Sequence, residues 1–304
     1  MSNQKDELVS VAVPTFNSLA TLKECLGSLD AQDYPKDKMQ IIVGDNGSTD
    51  GTLAWVKKRF PSMEIVQADQ RGSGYARNAA FAAARGEIIC STDADCVADP
   101  EWVSALVSAF GKQQESVGCL GGKILPYRVV TLVEHYQPAW IQQGALRDGK
   151  QSVVYAETPN AAYRRSALEA VGYFDGTQGM DDADLGMRLT AAGFSVHYAP
   201  EAVIRHRNPA GLRDLYRHRL KYGIFMTRLA RKYPERFGDP DSPAALRRLA
   251  YQTTRRIAGD LIYKLPRTLA SRENADGIRI GPALDAVVAF ANYVGVRRAF
   301  RENV

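Results

Sequence analysis

Two aspartates stand two positions apart in CSTDADC, residues 90–96, directly after an apolar run. If the chain is extended there, Asp93 and Asp95 point to the same side, and two like charges on one face repel unless a cation or ligand compensates. Carboxylate oxygens suit a hard divalent cation, which retains coordination sites for phosphate oxygens and water. A second acidic group, Asp181, Asp182 and Asp184 in GMDDADLGMRL, precedes a stretch with helical spacing. One carboxylate there suffices to favour a helix N-terminus. The surplus suits a group that takes a proton from a hydroxyl nucleophile. His206 follows a strand-like run 24 residues after Asp182 and is either a structural histidine or a third metal ligand.

The elements that must position these groups alternate. Residues 8–14, 39–45, 63–69 and 86–93 read as strands, and 18–30, 49–60 and 73–85 between them read as helices. Nearly continuous apolar strands alternating with helices predict an α/β fold, a mostly parallel sheet covered on both faces. In such a sheet ligands bind at the carboxyl ends of the strands. Asp45, Asp69, Asp93 and Asp95 all fall there. Asp45, in GDNGSTDGT, reads equally as an acceptor for a base or ribose and as a local cap. RGSGYARN, residues 71–78, follows the third strand rather than the first and has Arg77 where a dinucleotide fingerprint needs its third glycine. Its glycines let backbone pass close to a ligand, with Arg71 or Arg77 meeting phosphate. Shorter strands at 116–125, 152–157 and 194–200 and helices at 163–171 and 181–192 are expected next. Beyond 210 only helices are expected, near 210–232, 243–264 and 282–301.

Length and composition bound the rest. A chain of 304 residues with 45% apolar content builds one large α/β domain with extra elements, or two domains. Cys25, Cys90, Cys96 and Cys119 show no zinc-type spacing and read as reduced thiols of a cytoplasmic protein. No signal pattern or membrane-length apolar run is expected. From Arg205 to Val304 there are 21 Lys and Arg against 9 Asp and Glu, whereas residues 1–204 hold 18 against 25. An acidic front and a basic tail imply a division of labour. In the tail, Leu212, Leu215, Tyr216, Leu220, Ile224 and Leu229 form one helical face. That face either packs on the rest of the chain or docks on something anionic, such as the inner face of a membrane or a lipid-linked acceptor. A nucleic-acid partner is not expected, because the tail has no recognition element.

VSVAVPTFN, VGDNGSTDGT, RGSGYARNAAFAAARGEIICSTDADC, TPNAAYRRSALEAVGYFD and DDADLGMRL, in this order over about residues 8–208, resemble the family 2 glycosyltransferases. The resemblance implies the GT-A fold: a catalytic domain over 1–208 (nucleotide-sugar half about 1–122, acceptor half about 123–208) and a basic helical extension over 209–304. It also implies a hexosyltransferase-type, inverting transfer of a single sugar from a nucleotide sugar, with a UDP-sugar favoured, to an acceptor hydroxyl. By the resemblance Pro14, Thr15 and Asn17 line the nucleotide site and Asp45 meets the base. Asp93, Ala94 and Asp95 form the DxD motif, and Mn²⁺ or Mg²⁺ sits on Asp95 with Asp93 and His206. Asp182, paired with Asp181, is the general base, and Gly122, Asn160 and Arg164 lie on the sugar or acceptor side. Asn46 stands where many members have a second acid. RHRLKYG, residues 217–223, lacks the tryptophan of processive members, which points away from a polymer-extruding synthase. Two other classes stay open: a catalytically silent sugar-nucleotide-binding module, and a nucleotidyltransferase, which would want a glycine-rich basic loop where this chain has PTFNS.

Overall fold

The structure, a computed structural model, describes residues 7–136, 155–176, 179–270 and 281–302. The chain divides into two compact units. The first takes in the described residues through Tyr127 and those from Tyr155 to Arg207. The second takes in 128–136 and the residues from Asn208 onward.

The first unit holds an eight-stranded sheet. Its strands are β1 (Val9–Thr15), β2 (Met39–Asp45), β3 (Glu64–Gln67), β4 (Ile88–Ser91), β5 (Cys96–Ala98), β6 (Val117–Pro126), β7 (Ala161–Arg164) and β8 (Ser195–His206), in the order β3-β2-β1-β4-β7-β6-β8-β5. The first four are parallel, β7 runs antiparallel to both β4 and β6, and β6 and β8 are again parallel. The mostly parallel α/β sheet expected from the sequence is therefore present. Both β1 and β2 are buried along their whole length. The reason is coverage on two sides: Val9, Val11 and Val13 belong to one core cluster and Ala12 to another, as alternation across a strand requires. One face is covered by α1 (Leu19–Asp30) and, after α2 (Thr52–Arg59) and α3 (Ser73–Ala83), by α4 (Trp102–Gly111), through Leu22, Leu26, Trp102 and Leu106. Phe81 of α3 lies on the other face, with Leu168 of α5 (Arg165–Val171) and Leu185 and Leu189 of α6 (Asp181–Ala191).

Two expectations about this sheet change. The strand expected at 152–157 falls partly outside the described residues, and 155–157 carry no strand. β4 ends at Ser91, so Asp93 and Asp95 sit in a turn, which the Cys96 N–H closes on the Asp93 carbonyl at 3.0 Å. The chain then reverses into β5, a strand the sequence did not announce, antiparallel to β8 with Cys96 opposite His206.

The second unit consists of helices: α7 (Leu212–Lys232), α8 (Pro243–Ala258), which passes through a wide π turn at Gly259–Lys264 into a further stretch at Leu265–Ala270, and α9 (Gly281–Glu302). The buried face of α7 overlaps the apolar one expected only at Leu215 and Leu229. Leu215, Arg219, Gly223 and Thr227, four residues apart, are buried, while Leu220 and Ile224 are half-buried and Leu212 is exposed. Close approach explains this. A Cβ on Gly223 would overlap the Asn292 carbonyl, and one on Gly295 would overlap the Leu220 carbonyl, so α7 and α9 cross backbone to backbone where side chains are smallest. No helix among the described residues is long and apolar enough to cross a membrane.

Candidate active site

Four segments at the carboxyl end of the parallel strands line a cavity of about 670 Å³ in the first unit. The loop after β1 contributes Pro14, Thr15, Phe16 and Asn17. The loops after β2 and β3 contribute Asn46, Gly72 and Ser73, with Arg77 behind them on α3. The turn after β4 contributes Asp93, Ala94 and Asp95. This is the strand-end crevice that open parallel sheets offer to ligands.

The rim is laced from within. Thr49 N–H donates to Asn17 Oδ1 at 2.8 Å and Asn17 N–H to Ser48 Oγ at 2.9 Å, joining the first two loops. Asn46 accepts from Gly72 N–H at 2.8 Å and donates to the Gln70 carbonyl at 2.7 Å, joining the second and third. Arg71 donates to the Asn46 carbonyl at 2.7 Å and lies 4.7 Å from the Phe16 ring centroid. Arg71 thus braces the rim and is not among the residues lining the cavity. Asp45 is fully buried, and its carboxylate accepts from Gly47 N–H at 2.9 Å and Ser48 N–H at 3.0 Å. Its neighbour Asn46 lines the cavity, while Asp45 sits behind it and shapes the loop.

The turn after β4 separates its two aspartates. Asp93 forms an ion pair with the Arg77 guanidinium, which is 6% exposed. Burial would lower the pKa of Arg77, but the pairing with Asp93 outweighs it and the cation is held firmly charged. Asp95 turns instead toward His206, whose Nε2 lies 3.7 Å from Asp95 Oδ1. Burial raises the pKa of Asp95, with His206 opposing and Asp93 adding to the rise. Asp95, Cys96 and His206 offer ligand atoms within 4.8 Å of one another, and His206 Nδ1 is buried without a hydrogen-bond partner. A carboxylate oxygen and an imidazole nitrogen so placed fit a divalent ion. Cys96 came to this cluster through the register of β5 and β8. Burial holds its thiol protonated far above the usual range, so it packs beside the pair as a neutral group. Asp93, also expected as a ligand, lines the cavity with one carboxylate oxygen paired to Arg77.

Asp181 and Asp182 open α6, and the charge of Arg77 reaches both. Burial pushes Asp182 up to about 6, against a hydrogen bond from Ala183 N–H and the attraction of Arg77. Burial pushes Asp181 up to about 7, with Arg77 opposing and Asp182 adding. Asp181 is pressed against α3, where a side chain on Gly74 would collide with its carboxylate. Thr15 Oγ1, Thr92 Oγ1, Arg77 Nε and Asp181 Oδ1 are also buried without partners. Buried polar atoms are normally paired, so such a concentration marks a place prepared for a polar ligand.

Asn160 and Gly122, expected on the sugar or acceptor side, lie in the interior. Fully buried Asn160 accepts from Trp102 Nε1–H at 2.8 Å and donates to the Lys123 and Ala202 carbonyls, each at 2.9 Å. Gly122 packs where a Cβ would overlap the Asn160 side chain. Arg164 reaches the Val117 carbonyl at 3.1 Å and lies 5.0 Å from the Phe110 ring. These three hold β6, β7, β8 and α4 together. Sequence reasoning did not single out Phe16 as a lining residue, although its place in PTFNS beside Thr15 and Asn17 signalled it.

Comparison with known proteins bears on the family and the fold. The family Glycosyl transferase family 2 matches residues 10–172. Glycosyltransferase AglE of Haloferax volcanii is 30% identical over 205 residues, 65% of this chain and 66% of that protein. The matches to this and the next two curated relatives span 66%, 54% and 58% of those proteins' lengths. Among solved structures, the mannosyltransferase PcManGT of Pyrobaculum calidifontis, in complex with GDP-Man and Mn²⁺, superposes with a TM-score of 0.63 at 22% identity over 98% of this chain and 88% of its own. Staphylococcus aureus TarS 1–349 with UDP-GlcNAc gives 0.55 at 17% identity over 97% and 92%. These likenesses establish the fold, and the family match more than half the chain. This chain belongs to glycosyl transferase family 2.

Proposed function

We propose that this family 2 member transfers a single sugar, with inversion, from a nucleoside-diphosphate sugar to an acceptor hydroxyl, with Asp182 as the general base. One observation carries the reading: buried Arg77 pairs with Asp93 at the cavity and extends its charge to Asp181 and Asp182, so the strand-end turn and the start of α6 serve one electrostatic centre. Burial raises the proton affinity of both carboxylates above the ordinary range, toward the pH at which a general base works. With a pKa of about 6, Asp182 is mostly ionised at neutral pH and close enough to it to accept a proton as the hydroxyl attacks.

Asp95 and His206 are the residues that would hold a divalent ion, and a mixed oxygen–nitrogen pair leans toward Mn²⁺ over the harder Mg²⁺. Such an ion, when bound, offsets charge on the departing diphosphate. The remaining work is positioning. Thr15, Asn17 and Asn46 present polar groups to the nucleotide, Phe16 an open ring, and Arg77 keeps Asp93 from repelling the anionic donor. The uridine preference expected of the donor rested on Asp45, whose oxygens are taken by loop amides. PcManGT was solved with GDP-Man and TarS with UDP-GlcNAc, so both bases belong in the test.

The test is a panel of UDP- and GDP-sugars with Mn²⁺, scored by release of nucleoside diphosphate and by thermal shift. Asp182→Asn is expected to keep the donor-induced shift and lose at least ~100-fold in turnover. Turnover by Asp182→Asn at the wild-type rate would remove the base assignment. A shift in both proteins with turnover in neither would make the chain a silent binding module.

A further inference from the structure

We propose that the outward face of residues 243–270 docks on the surface of an anionic lipid bilayer. The sequence had pointed to the helix at 212–232 for such contact, but its Leu215–Thr227 stripe is used inside the second unit. The segment after it has the opposite character: α8 contains no buried residue. Arg248, Tyr251 and Arg255, at intervals of three and four, fall on one face of α8, and Ile262 follows in the π turn. Tyr251 and Ile262 are each 63% exposed, and the Arg255 guanidinium lies 5.7 Å from the Tyr251 ring centroid. At the π turn the neighbours Leu261 and Tyr263 are exposed as well.

A helix facing only water has no use for a row of exposed tyrosine, leucine and isoleucine, and such patches mark contact surfaces. Charge selects the partner. Residues 247–269 hold six basic residues against one acid, Asp260. That acid is buried, with Lys264 Nζ at 2.7 Å and Arg256 Nε at 3.9 Å, so the exposed face offers no carboxylate. Arginines interleaved with tyrosines and aliphatic side chains suit the headgroup layer, where the rings and aliphatic stems sink in and the guanidiniums meet lipid phosphates. The contact is shallow: the segment lies on the membrane without crossing it.

The test uses the full chain and sedimentable vesicles, of phosphatidylcholine alone or with a minority of phosphatidylglycerol. Pelleting with the anionic vesicles at low salt, absent with phosphatidylcholine alone, is the expected result. The exposed pair Tyr251→Ser with Ile262→Ser should weaken it about tenfold or more, from the apolar area removed. Arg248→Glu with Arg255→Glu should abolish it, with the nucleotide-induced thermal shift unchanged in both variants. No pelleting with anionic vesicles at low salt, or undiminished pelleting of the charge-reversed variant, overturns the proposal. Self-association of the wild type that the Tyr251→Ser, Ile262→Ser variant loses would assign the face to a second copy of the chain. Binding of inorganic polyphosphate with wild-type vesicle affinity in the Tyr251→Ser, Ile262→Ser variant would assign it to a soluble polyanion.

Discussion

Burial sets the proton affinity of Asp182, and the consequence for rate has a definite sign. The carboxylate is the active form, so activity should be low below pH 6 and rise to a plateau above it, with an acidic limb near the pKa of about 6. A profile of kcat/KM against pH in wild type measures this, and a limb near 4 would show that the group at work is an ordinary exposed carboxylate. Asp181 gives a second, independent reading, in stability. Its pKa rises from 3.8 to about 7 on folding, so the folded state favours the neutral form and ionisation opposes folding. The stability of the neutral group is complete below the unfolded value and is lost as pH rises toward 7. Asp181→Asn, which cannot ionise, should therefore melt higher than wild type by a few degrees at pH 8, the gap closing toward pH 4. Thermal melts with chelator present measure it. At this scale the sequence was informative about identity and less so about partners. It put Asp93, Asp95, Asp182 and His206 in one neighbourhood because strand ends converge, but it could not see that a turn of four residues sends Asp93 to Arg77 and Asp95 to His206. Asp45, balanced between base contact and local cap in the sequence, accepts from its own loop, because Gly47 and Ser48 bring their N–H groups to Oδ2 and Ser48 reaches Oδ1 as well.

The helices and strands were legible where hydrophobic periodicity is strong and covered on both sides. β1 and β2 emerge nearly residue for residue because each is buried along its whole length. β5 escaped notice because three residues carry no period, and only its pairing with β8 defines it. Asn160 was read as a ligand-facing polar group, whereas its three hydrogen bonds tie Trp102 of α4 to the backbone at Lys123 and Ala202. Asn160→Ala would leave the buried Trp102 indole N–H without its acceptor, at about 1–3 kcal/mol, and would remove the donor to the Lys123 and Ala202 carbonyls. Its expected effect is a loss of several kcal/mol in chemical denaturation, with little effect on donor affinity in the fraction that stays folded. A ligand-contacting Asn160 would give the reverse pattern. In the second unit, the small-residue crossing of α7 and α9 invites a matching test. Gly295→Ala puts a methyl group against the Leu220 carbonyl and should lower the melting temperature, an overpacking cost of about 1–3 kcal/mol. An apolar-stripe contact, as the sequence suggested for α7, would tolerate that alanine.

At the scale of the whole chain, charge is divided as sharply as the fold. Residues 1–204 hold 25 acidic against 18 basic groups, and residues 205–304 hold 9 against 21. The cavity lies in the acidic part and two of its lining groups are carboxylates, a poor environment for a diphosphate. Buried Arg77 cancels one of them, Asp93, while Asp95 meets the imidazole of His206 and the neutral thiol of Cys96. A nucleoside diphosphate alone should therefore bind weakly, and a divalent ion on Asp95 and His206 should convert repulsion into attraction. Binding to the native state raises stability by RT ln(1 + [L]/Kd), about 2.7 kcal/mol at a hundredfold excess over Kd. For a protein of this size that is a rise of several degrees. UDP or GDP with Mn²⁺ should produce it, the nucleotide with chelator should not, and Asp95→Asn should lose most of it. His206→Ala should lose a smaller part, since a neutral nitrogen donor contributes less than a carboxylate to holding a hard ion. Equal shifts with and without Mn²⁺ would mean that the carboxylates are neutralised by the protein alone, and the Asp95–His206 pair would then be a structural contact between β8 and the turn before β5.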